Sequence, residues 1–199
     1  DVTQNRQQLP TATAVAEAIR LAIRKELDLT ASAGVAPNKF LAKIASDWNK
    51  PDGLCVIPPA KVTAFLQPLS VKKLPGVGKV TATKLADRGI QTVADLATPS
   101  AEELEATFGR MGRRLFQLAR GIDHGAVTPN RPRKSISAED TFAEDQPLSA
   151  LAPSIEAMAE KVWRNAEKVG WQGRTVVLKL KTSDFRLLTR SHTAAEPPS

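Results

Sequence analysis

The chain has 199 residues, with 28 Lys and Arg against 21 Asp and Glu, so its formal net charge is +7. Hydrophobic residues make up 42% and charged residues 25%, which excludes wholesale disorder, a collagen-like repeat and a disulfide scaffold. The single Cys55 cannot form an internal disulfide, so a reducing compartment is expected. No apolar run approaches the ~20 residues of a membrane span, and no stretch resembles a signal peptide. The basic excess favours a polyanionic partner without identifying one.

The first part of the chain has the pattern of a compact α/β segment. The spacing of apolar residues predicts two helices and two short buried strands, over 11–27, 29–36, 38–48 and 54–57. Asn38 is placed to cap the second helix and, with Lys39, to make a helix start that attracts anions. The alternative is an amphipathic helix with a solvated lysine face, which composition alone favours. Lys50-Pro51-Asp52-Gly53 predicts a turn before the last strand, since Pro fixes φ and Gly permits positive φ.

The pattern then changes to short helices separated by glycine, with no strand among them. Five helices are predicted, over 60–67, 79–88, 92–97, 100–107 and 110–120. Residues 123–134 contain Gly, Pro and basic residues without apolar periodicity, which predicts an exposed linker.

Beyond the linker the predicted order is strand, helix, strand, strand, over 135–142, 153–169, 174–182 and 185–193. Residues that face opposite sides of the strand alternate most clearly over 174–182, as expected for a half-exposed strand. We expect a three-stranded sheet with one helix, which leaves one face of the sheet half covered.

The sharpest local motif is Leu74-Pro75-Gly76-Val77-Gly78-Lys79, which is typical of a helix-hairpin-helix. Its glycines let the backbone approach a phosphate closely, and the N–H groups that open the next helix point at that phosphate. Such a motif binds the nucleic-acid backbone without reading bases. A plain tight turn between packed helices is the alternative. The lysines around the motif favour DNA binding: Lys72, Lys73, Lys79 and Lys84.

A weaker form of this pattern follows at 108–115, where Gly109 and Gly112 lead into a basic helix. Alone it is equally compatible with a solvated basic turn, but beside the first motif it favours a paired phosphate site. Three stretches, 72–84, 110–120 and 131–134, together carry eleven positive charges and no acid. The basic residues of 131–134 and of the last strand are compatible with phosphate contacts or with a solvated surface.

Residues suited to catalysis are few. His124 and His192 lie in different segments, so neither a metal cluster nor a histidine relay is visible. Cys55 lies between apolar neighbours in a predicted strand, which favours a buried structural thiol over a nucleophile. The acidic pairs Glu139-Asp140 and Glu144-Asp145 have turn-like surroundings typical of solvated carboxylates.

Four stretches in the same order, 31–47, 49–53, 74–79 and 133–135, resemble Y-family DNA polymerases along nearly the whole chain. The resemblance implies an α+β multidomain fold. Residues 1–57 would form the later part of an α/β palm, and 58–123 an all-α helix-hairpin-helix thumb. A linker would span 124–134. Residues 135–199 would form a little finger that contains the β-α-β-β part of the family's β-α-β-β-α-β.

The resemblance also implies an error-prone translesion DNA polymerase, which catalyses template-directed nucleotidyl transfer and bypasses damage. Its expected partners are primer-template DNA, dNTP and, for the intact protein, a sliding clamp; a cytoplasmic monomer is expected, with no membrane association. In the family, carboxylates of an early Asp and of a Ser-x-Asp-Glu block hold two Mg²⁺ ions.

Asp1-Val2-Thr3 resembles the end of the Leu-Asp-Val-Thr phrase that follows this block. The catalytic carboxylates, the clamp-binding peptide and the last little-finger elements are therefore expected outside this chain. By itself the chain is expected to bind no Mg²⁺ and to polymerise nothing.

The resemblance assigns roles to four groups of residues. Lys50, Lys39 and Lys43 resemble contacts to the incoming triphosphate. The first thumb contact to primer phosphates comprises Gly76, Gly78, Lys79 and Thr81. The second thumb contact comprises Gly109, Arg110, Gly112 and Arg113. The little-finger contacts to the template strand comprise Arg133, Lys134, Ser135, Arg190, Ser191 and His192.

Two other functions remain open from the residues alone. One is a stand-alone, non-catalytic helix-hairpin-helix module that binds DNA. The other is a hairpin-containing DNA glycosylase or nuclease, for which Asp95 and Asp123 are the available carboxylates. The α/β segment and the β-α-β-β module would not be expected around a glycosylase site.

Overall fold

A computed structural model describes residues 1–197. The last two residues of the predicted little finger lie outside the described residues. The chain divides into two units, residues 1–128 and residues 129 onward, and each is described by itself.

The first unit begins with helix α1 (Ala12–Leu27), which starts at Thr11, where the side-chain oxygen accepts the N–H of Ala14 at 3.0 Å. Val15 is the buried residue of this helix, whereas the apolar Ile19 and Leu27 are 53% and 63% exposed. The helix is thus formed as predicted, but most of its apolar face is uncovered.

A small β-α-β unit follows, made of strand β1 (Ala33–Val35), helix α2 (Lys39–Trp48) and strand β2 (Leu54–Val56). The two strands pair in parallel with Gly34 opposite Cys55, and α2 packs on both of them. The predicted strand over 29–36 is reduced to three half-buried residues, and Leu29 is exposed. Among the described residues, these two short strands form a sheet of their own.

The rest of the first unit is helical, as predicted. Its helices are α3 (Val62–Leu66), α4 (Lys79–Ala86), α5 (Val93–Leu96), α6 (Ala101–Phe108) and α7 (Arg110–Ala119), with 3₁₀ turns at Pro59–Lys61 and Val71–Lys73. Capping boxes begin α5 at Thr92 and α6 at Ser100, which explains why these boundaries are visible in the sequence.

One hydrophobic core joins α2 to these helices. It contains Leu41 from α2 and Leu66, Leu85 and Leu115 from the helical part, all 1% exposed or less. The core is therefore continuous across the predicted boundary between residues 57 and 58.

The second unit contains a 3₁₀ turn (Leu148–Ala150), helix α8 (Ala152–Lys168) and an antiparallel pair, strands β3 (Thr175–Lys181) and β4 (Leu187–Thr193). On α8, a row of residues at helical spacing is half-buried: Ile155, Met158, Val162 and Ala166.

The predicted strand over 135–142 does not form, so the sheet has two strands instead of three. The physical reason lies in the segment itself: Glu139 and Asp140 interrupt it, and only Ile136 and Ala138 are even partly buried. Strand formation needs an apolar face as well as a free edge. Among the residues that the structure describes, no helix is long and apolar enough to cross a membrane.

Candidate nucleic-acid interface

The residues 74–79, called here the first glycine turn, connect the 3₁₀ turn Val71–Lys73 to α4. Gly76 has φ +92°, a backbone conformation that disfavours any residue with a side chain. Gly78 begins α4 with an extended backbone and, lacking a side chain, provides no cap. Because nothing lies within 4 Å of a Cβ added at Gly78, the space in front of the helix is open. The N–H groups at the start of α4 are therefore free to bind an anion.

The first glycine turn carries the predicted charge on its outer side. Lys79 is exposed and Thr81 is half-buried in the first turn of α4. Among residues 1–197, Lys79 makes no ion pair. Gly76, Gly78 and Lys79 are thus all exposed on this turn.

Two chain segments hold the base of this turn closed. The N–H of Val71 donates to the carbonyl oxygen of Gln91 at 3.0 Å, and the N–H of Val93 donates to that of Leu69 at 2.8 Å. Leu74, at the first residue of the turn, is only 2% exposed. The turn is therefore fixed on the core, although its tip is solvated.

Residues 108–113, called here the second glycine turn, connect α6 to α7. Gly109 has φ +59° and begins α7 without a side-chain cap, and Arg110 is exposed. A Cβ added at Gly76 would lie 3.1 Å from the Cε of Met111. The two glycine turns are therefore neighbours, as the hypothesis of a paired phosphate site requires.

The predicted phosphate contact at Gly112 does not fit the structure. Gly112 is buried, and a Cβ there would overlap the backbone of Leu104 in α6. Its glycine is required because α6 and α7 approach each other closely at this point. Arg113 is exposed but already pairs with Glu105, with Nη2 2.6 Å from Oε2.

The three lysines predicted to contact a triphosphate have different surroundings. The Nζ of Lys39 donates to the carbonyl oxygen of Ala126 at 2.7 Å, whereas Lys43 is exposed on the next turn of α2. Lys50 pairs with Asp47. The pKa of Asp47 is lowered, first by the hydrogen bond and charge of Lys50 and then by the charges of Lys43 and Lys73.

The start of α2 is already occupied by a carboxylate from the same chain. Asn38 accepts the N–H of Leu41 at 3.0 Å, and Asp123 accepts that of Phe40 at 3.2 Å. The expected anion-attracting helix start therefore exists, but its anion is a protein side chain.

Asp123 is the residue whose importance the sequence did not reveal. Its side chain is 9% exposed and accepts a hydrogen bond from the Nη2 of Arg114 at 3.0 Å. Burial raises the pKa of Asp123, but the N–H of Gly125, Arg114 and the N–H of Phe40 outweigh burial and lower it. The local signal is weak: an acid four residues beyond the end of a basic helix.

The turn before β2 is fixed by two arginines of α1. Arg20 Nη2 lies 3.0 Å from Asp52 Oδ1, and Arg24 pairs with the other carboxylate oxygen. Arg20 also donates to the carbonyl oxygen of Ala31 at 2.8 Å. The position of Lys50, two residues before Asp52, is therefore set by contacts with α1.

In the second unit the predicted contact residues are all exposed. Arg133, Lys134 and Ser135 lie in a stretch without helix or strand. On β4, Arg190 is opposite Leu178 and His192 is opposite Val176. Side chains alternate along a strand, so Arg190 and His192 share one face and Ser191 lies on the other.

The residues present do not fit a catalytic metal pair. Within residues 1–197, no group of three or more His, Cys, Asp and Glu side chains could hold a metal ion. Asp95 accepts the N–H groups of Thr92 and Gln91 in the cap of α5, and Asp123 is engaged as described above, so neither carboxylate is a candidate catalyst. Cys55 is half-buried, and burial raises the pKa of its thiol, which disfavours the nucleophilic thiolate.

Comparisons with known proteins agree on one family. The impB/mucB/samB family matches residues 1–47, the thumb domain of DNA polymerase-iota matches 72–123, and the impB/mucB/samB family C-terminal domain matches 133–199. The DNA polymerase IV of Xanthomonas axonopodis pv. citri (strain 306) is 57% identical over 199 residues, which is 100% of this chain and 55% of that protein.

Comparison with solved structures indicates the same family. A Y-family DNA polymerase chimera, Dbh-Dpo4(243-245)-Dbh, aligns with a TM-score of 0.77 and 29% identity, covering 93% of this chain and 53% of the chimera. This chain belongs to the Y-family of DNA polymerases. An insertion ternary complex of Dbh DNA polymerase aligns with a TM-score of 0.58 and 26% identity, over 93% of this chain and 53% of that one.

The resemblance inferred from four motifs is therefore confirmed. The chain spans about 55% of the length of the curated Y-family relatives it matches. A thumb and a mixture of helices with small sheets agree with the Y-family fold.

Proposed function

We propose that this chain is the part of an error-prone translesion DNA polymerase that holds the primer-template. The whole protein would catalyse template-directed nucleotidyl transfer and copy past damaged bases. The observation that carries this proposal is the first glycine turn, where two exposed glycines, the free N–H groups of α4 and Lys79 face solvent together. Relatives named DNA polymerase IV, similar over all 199 residues, support it.

The contact to DNA in this proposal is made through phosphates. Backbone N–H groups and a lysine recognise charge and not bases, so binding is independent of sequence. The second glycine turn adds Gly109, Arg110 and, after release from Glu105, Arg113. We assign Gly112 to the packing of α7 on α6. The stretch 133–135 and the strand residues Arg190, Ser191 and His192 would contact the template strand.

The nucleotide contact would be made from α2 and the turn that follows it. Lys50 would exchange its pair with Asp47 for a triphosphate oxygen, with Lys43 beside it. Lys39 would contribute only after leaving the carbonyl of Ala126. The insertion ternary complex among the structural neighbours supports binding of DNA with a further substrate.

The division into palm (1–57), thumb (58–123), linker (124–134) and little finger (135–199) is part of the proposal. So are two Mg²⁺ ions as the cofactor of the whole protein, a sliding clamp as its partner, a monomeric state and a cytoplasmic location. The metal pair would neutralise the charge that develops on the transferred phosphoryl group. We assign none of the residues described here to that metal pair.

The stand-alone binding module is the less favoured function, because the similarity to polymerases extends over the α/β segment and the second unit as well.

The proposal is tested by fluorescence anisotropy with two duplexes of unrelated sequence. We expect equal affinities for the two, and log K that falls linearly with log[salt]. We expect no primer extension by this chain with Mg²⁺ and dNTPs. Affinities that differ more than tenfold between the duplexes, the absence of binding, or robust extension would each contradict the proposal.

A further inference from the structure

Residues 121–126, called here the strap, follow α7 and lie against the start of α2. Three consecutive residues at the start of α2 each donate one hydrogen bond to the strap: Asn38 to the carbonyl oxygen of Gly121 at 2.8 Å, Phe40 to the carboxylate of Asp123 at 3.2 Å, and Lys39 to the carbonyl oxygen of Ala126 at 2.7 Å. One helix start therefore holds the strap along its whole length.

The inner end of the strap, residues 121–123, is firmly attached. Gly121 has φ +72°, and a Cβ there would lie 2.5 Å from the Cγ1 of Val62, so this residue packs closely against α3. The side chain of Asp123 is 9% exposed and pairs with Arg114. Opening the inner end would separate this buried carboxylate from its partners, which costs free energy.

The outer end of the strap, residues 124–126, is attached much more weakly. His124, Gly125 and Ala126 are all exposed. Within the described part of the chain, two hydrogen bonds hold this end: the one from Lys39, and one from the N–H of Gly125 to Asp123 at 3.3 Å. A segment with few buried contacts opens at a low cost in free energy. The outer end can therefore open while the inner end and the core remain folded.

The closed strap covers Lys39. A Cβ added at Gly125 would lie 3.2 Å from the Nζ of Lys39, and Lys39 is half-buried although Lys43, one turn further along α2, is exposed. Over residues 1–197, Lys39 makes no ion pair, so its partner is a neutral carbonyl. A charged phosphate oxygen forms a stronger hydrogen bond with an ammonium group than a neutral carbonyl does. A phosphate can thus displace the strap from Lys39.

We propose that the outer end of the strap is an autoinhibitory clasp on Lys39, which a ligand that carries phosphate opens. In the closed state Ala126 holds the ammonium group. When a phosphate binds Lys39, residues 124–126 are released. The inference rests on the proposed function, in which Lys39 contacts the triphosphate of the nucleotide. It adds that affinity at this site is reduced by the fraction of molecules in which the strap is closed.

The first measurement follows the strap by NMR relaxation of the backbone amides, with inorganic tripolyphosphate as the probe. Without the probe we expect an order parameter of about 0.85 for Gly125, the value of rigid backbone, and with saturating probe a value below about 0.6. The amide of Leu118 in α7 should stay at about 0.85 throughout.

Variants of two lysines complete this measurement. Lys39→Ala should show the low order parameter at Gly125 without any ligand, because the clasp has lost its donor. Lys61→Ala, which removes an exposed lysine outside the strap, is the control and should behave like the wild type. An order parameter at Gly125 that neither Lys39→Ala nor tripolyphosphate lowers would overturn the proposal.

The second measurement is the affinity for tripolyphosphate by isothermal titration calorimetry. Gly125→Ala places a methyl group 3.2 Å from the Nζ of Lys39 and from the Oδ1 of Asp123, which should keep the outer end open. We expect this variant to bind about threefold more tightly than the wild type, because less of the protein is closed. The matched control is Gly173→Ala, where nothing lies within 4 Å of the added Cβ. Equal affinities in the two variants would contradict the clasp.

The outcomes separate the clasp from the proposed function. If tripolyphosphate binds and Lys50→Ala weakens its binding, while the strap variants behave like their controls, the clasp is wrong and the nucleotide contact stands. If tripolyphosphate does not bind, the clasp and the proposed triphosphate contact both fail. If Lys39→Ala loosens the strap but tripolyphosphate does not, Lys39 holds the strap without being a switch, and the proposal is wrong.

Discussion

The two glycine turns of the first unit have similar sequences, two glycines that lead into a basic helix, yet they use those residues differently. In the first turn both glycines are exposed and the lysine is unpaired, so the backbone is open to a ligand. In the second turn Gly109 is exposed, but Gly112 is buried against α6 and Arg113 is paired with Glu105.

The difference shows that glycine can be required in a basic turn for either of two physical reasons. One is access for a phosphate, and the other is close approach of two helix backbones. The two reasons are distinguished by what a Cβ added at the glycine would contact. Four experiments test this distinction.

The largest effect is expected from Gly112→Ala. Its Cβ would overlap the backbone of Leu104, which cannot move without displacing α6, so we expect a loss of about 3 kcal/mol in the free energy of unfolding. Urea denaturation measures it. The control is Gly78→Ala, where the space is open and φ is −85°; its stability should change by less than about 1 kcal/mol. Equal losses in the two variants would mean that the turns do not differ.

Asp123→Asn tests whether Arg114, next to Arg113 in α7, stabilises the fold through its pair with Asp123. Asn cannot balance the Arg114 charge or fully replace the carboxylate that accepts the N–H of Phe40, so we expect a loss of about 2 kcal/mol in the free energy of unfolding near neutral pH.

The pH dependence of this loss is the second measurement. The pKa of Asp123 is lower in the folded than in the unfolded chain, so the carboxylate stabilises the fold above about pH 4 and its contribution disappears as the pH falls further. The difference between wild type and Asp123→Asn should therefore shrink in acid. A difference that is independent of pH would show that the charge of Asp123 is not responsible.

Lys79→Gln and Arg113→Gln compare the two turns as DNA contacts. Lys79 is unpaired, so its loss should weaken DNA binding about fivefold at moderate salt and reduce the slope of log K against log[salt] by about 0.9. Arg113 must first leave Glu105, so its loss should have less than half of that effect. Anisotropy titrations at several salt concentrations measure both. A larger effect at Arg113 would reverse the assignment of the two turns.

The smallest effect is expected from Glu105→Gln, which releases Arg113. Because the pair is exposed, its loss should change stability by less than about 1 kcal/mol, while DNA affinity should rise about twofold as Arg113 becomes available. Glu102→Gln, on an exposed residue of the same helix, is the matched control. A fall in affinity for Glu105→Gln alone would mean that Glu105 orients Arg113 toward DNA.

The sequence predicted features that depend on residues close together in the chain. The helices of the first unit were predicted nearly to the residue because their signals are local: the spacing of apolar residues and, at Asn38, a capping side chain. The structure shows caps at Thr11 and Ser100 as well. The first glycine turn was found for the same reason, since the proline, glycines and lysine of its sequence pattern all lie within 74–79.

The errors concern contacts between distant residues. Asp123 and Phe40 are 83 positions apart, and no pattern near either residue indicates the pair. Gly112 was interpreted as a phosphate contact because its neighbours are basic, whereas Leu104, eight residues earlier, determines its role. The strand expected over 135–142 is a different case, because Glu139 and Asp140 leave it without the continuous apolar face that a strand needs.

The closed base of the first glycine turn has a consequence for the time scale of its motions. Hydrogen bonds of Val71 and Val93 join the two ends of the segment that contains the turn. Their amide hydrogens should exchange with solvent deuterium slowly, at rates near those of the core. The amides of residues 78–80, which have no such partners, should exchange within seconds. Opening of the phosphate-binding tip can thus occur without opening of the base, and a ligand would slow the fast amides while leaving the slow ones unchanged.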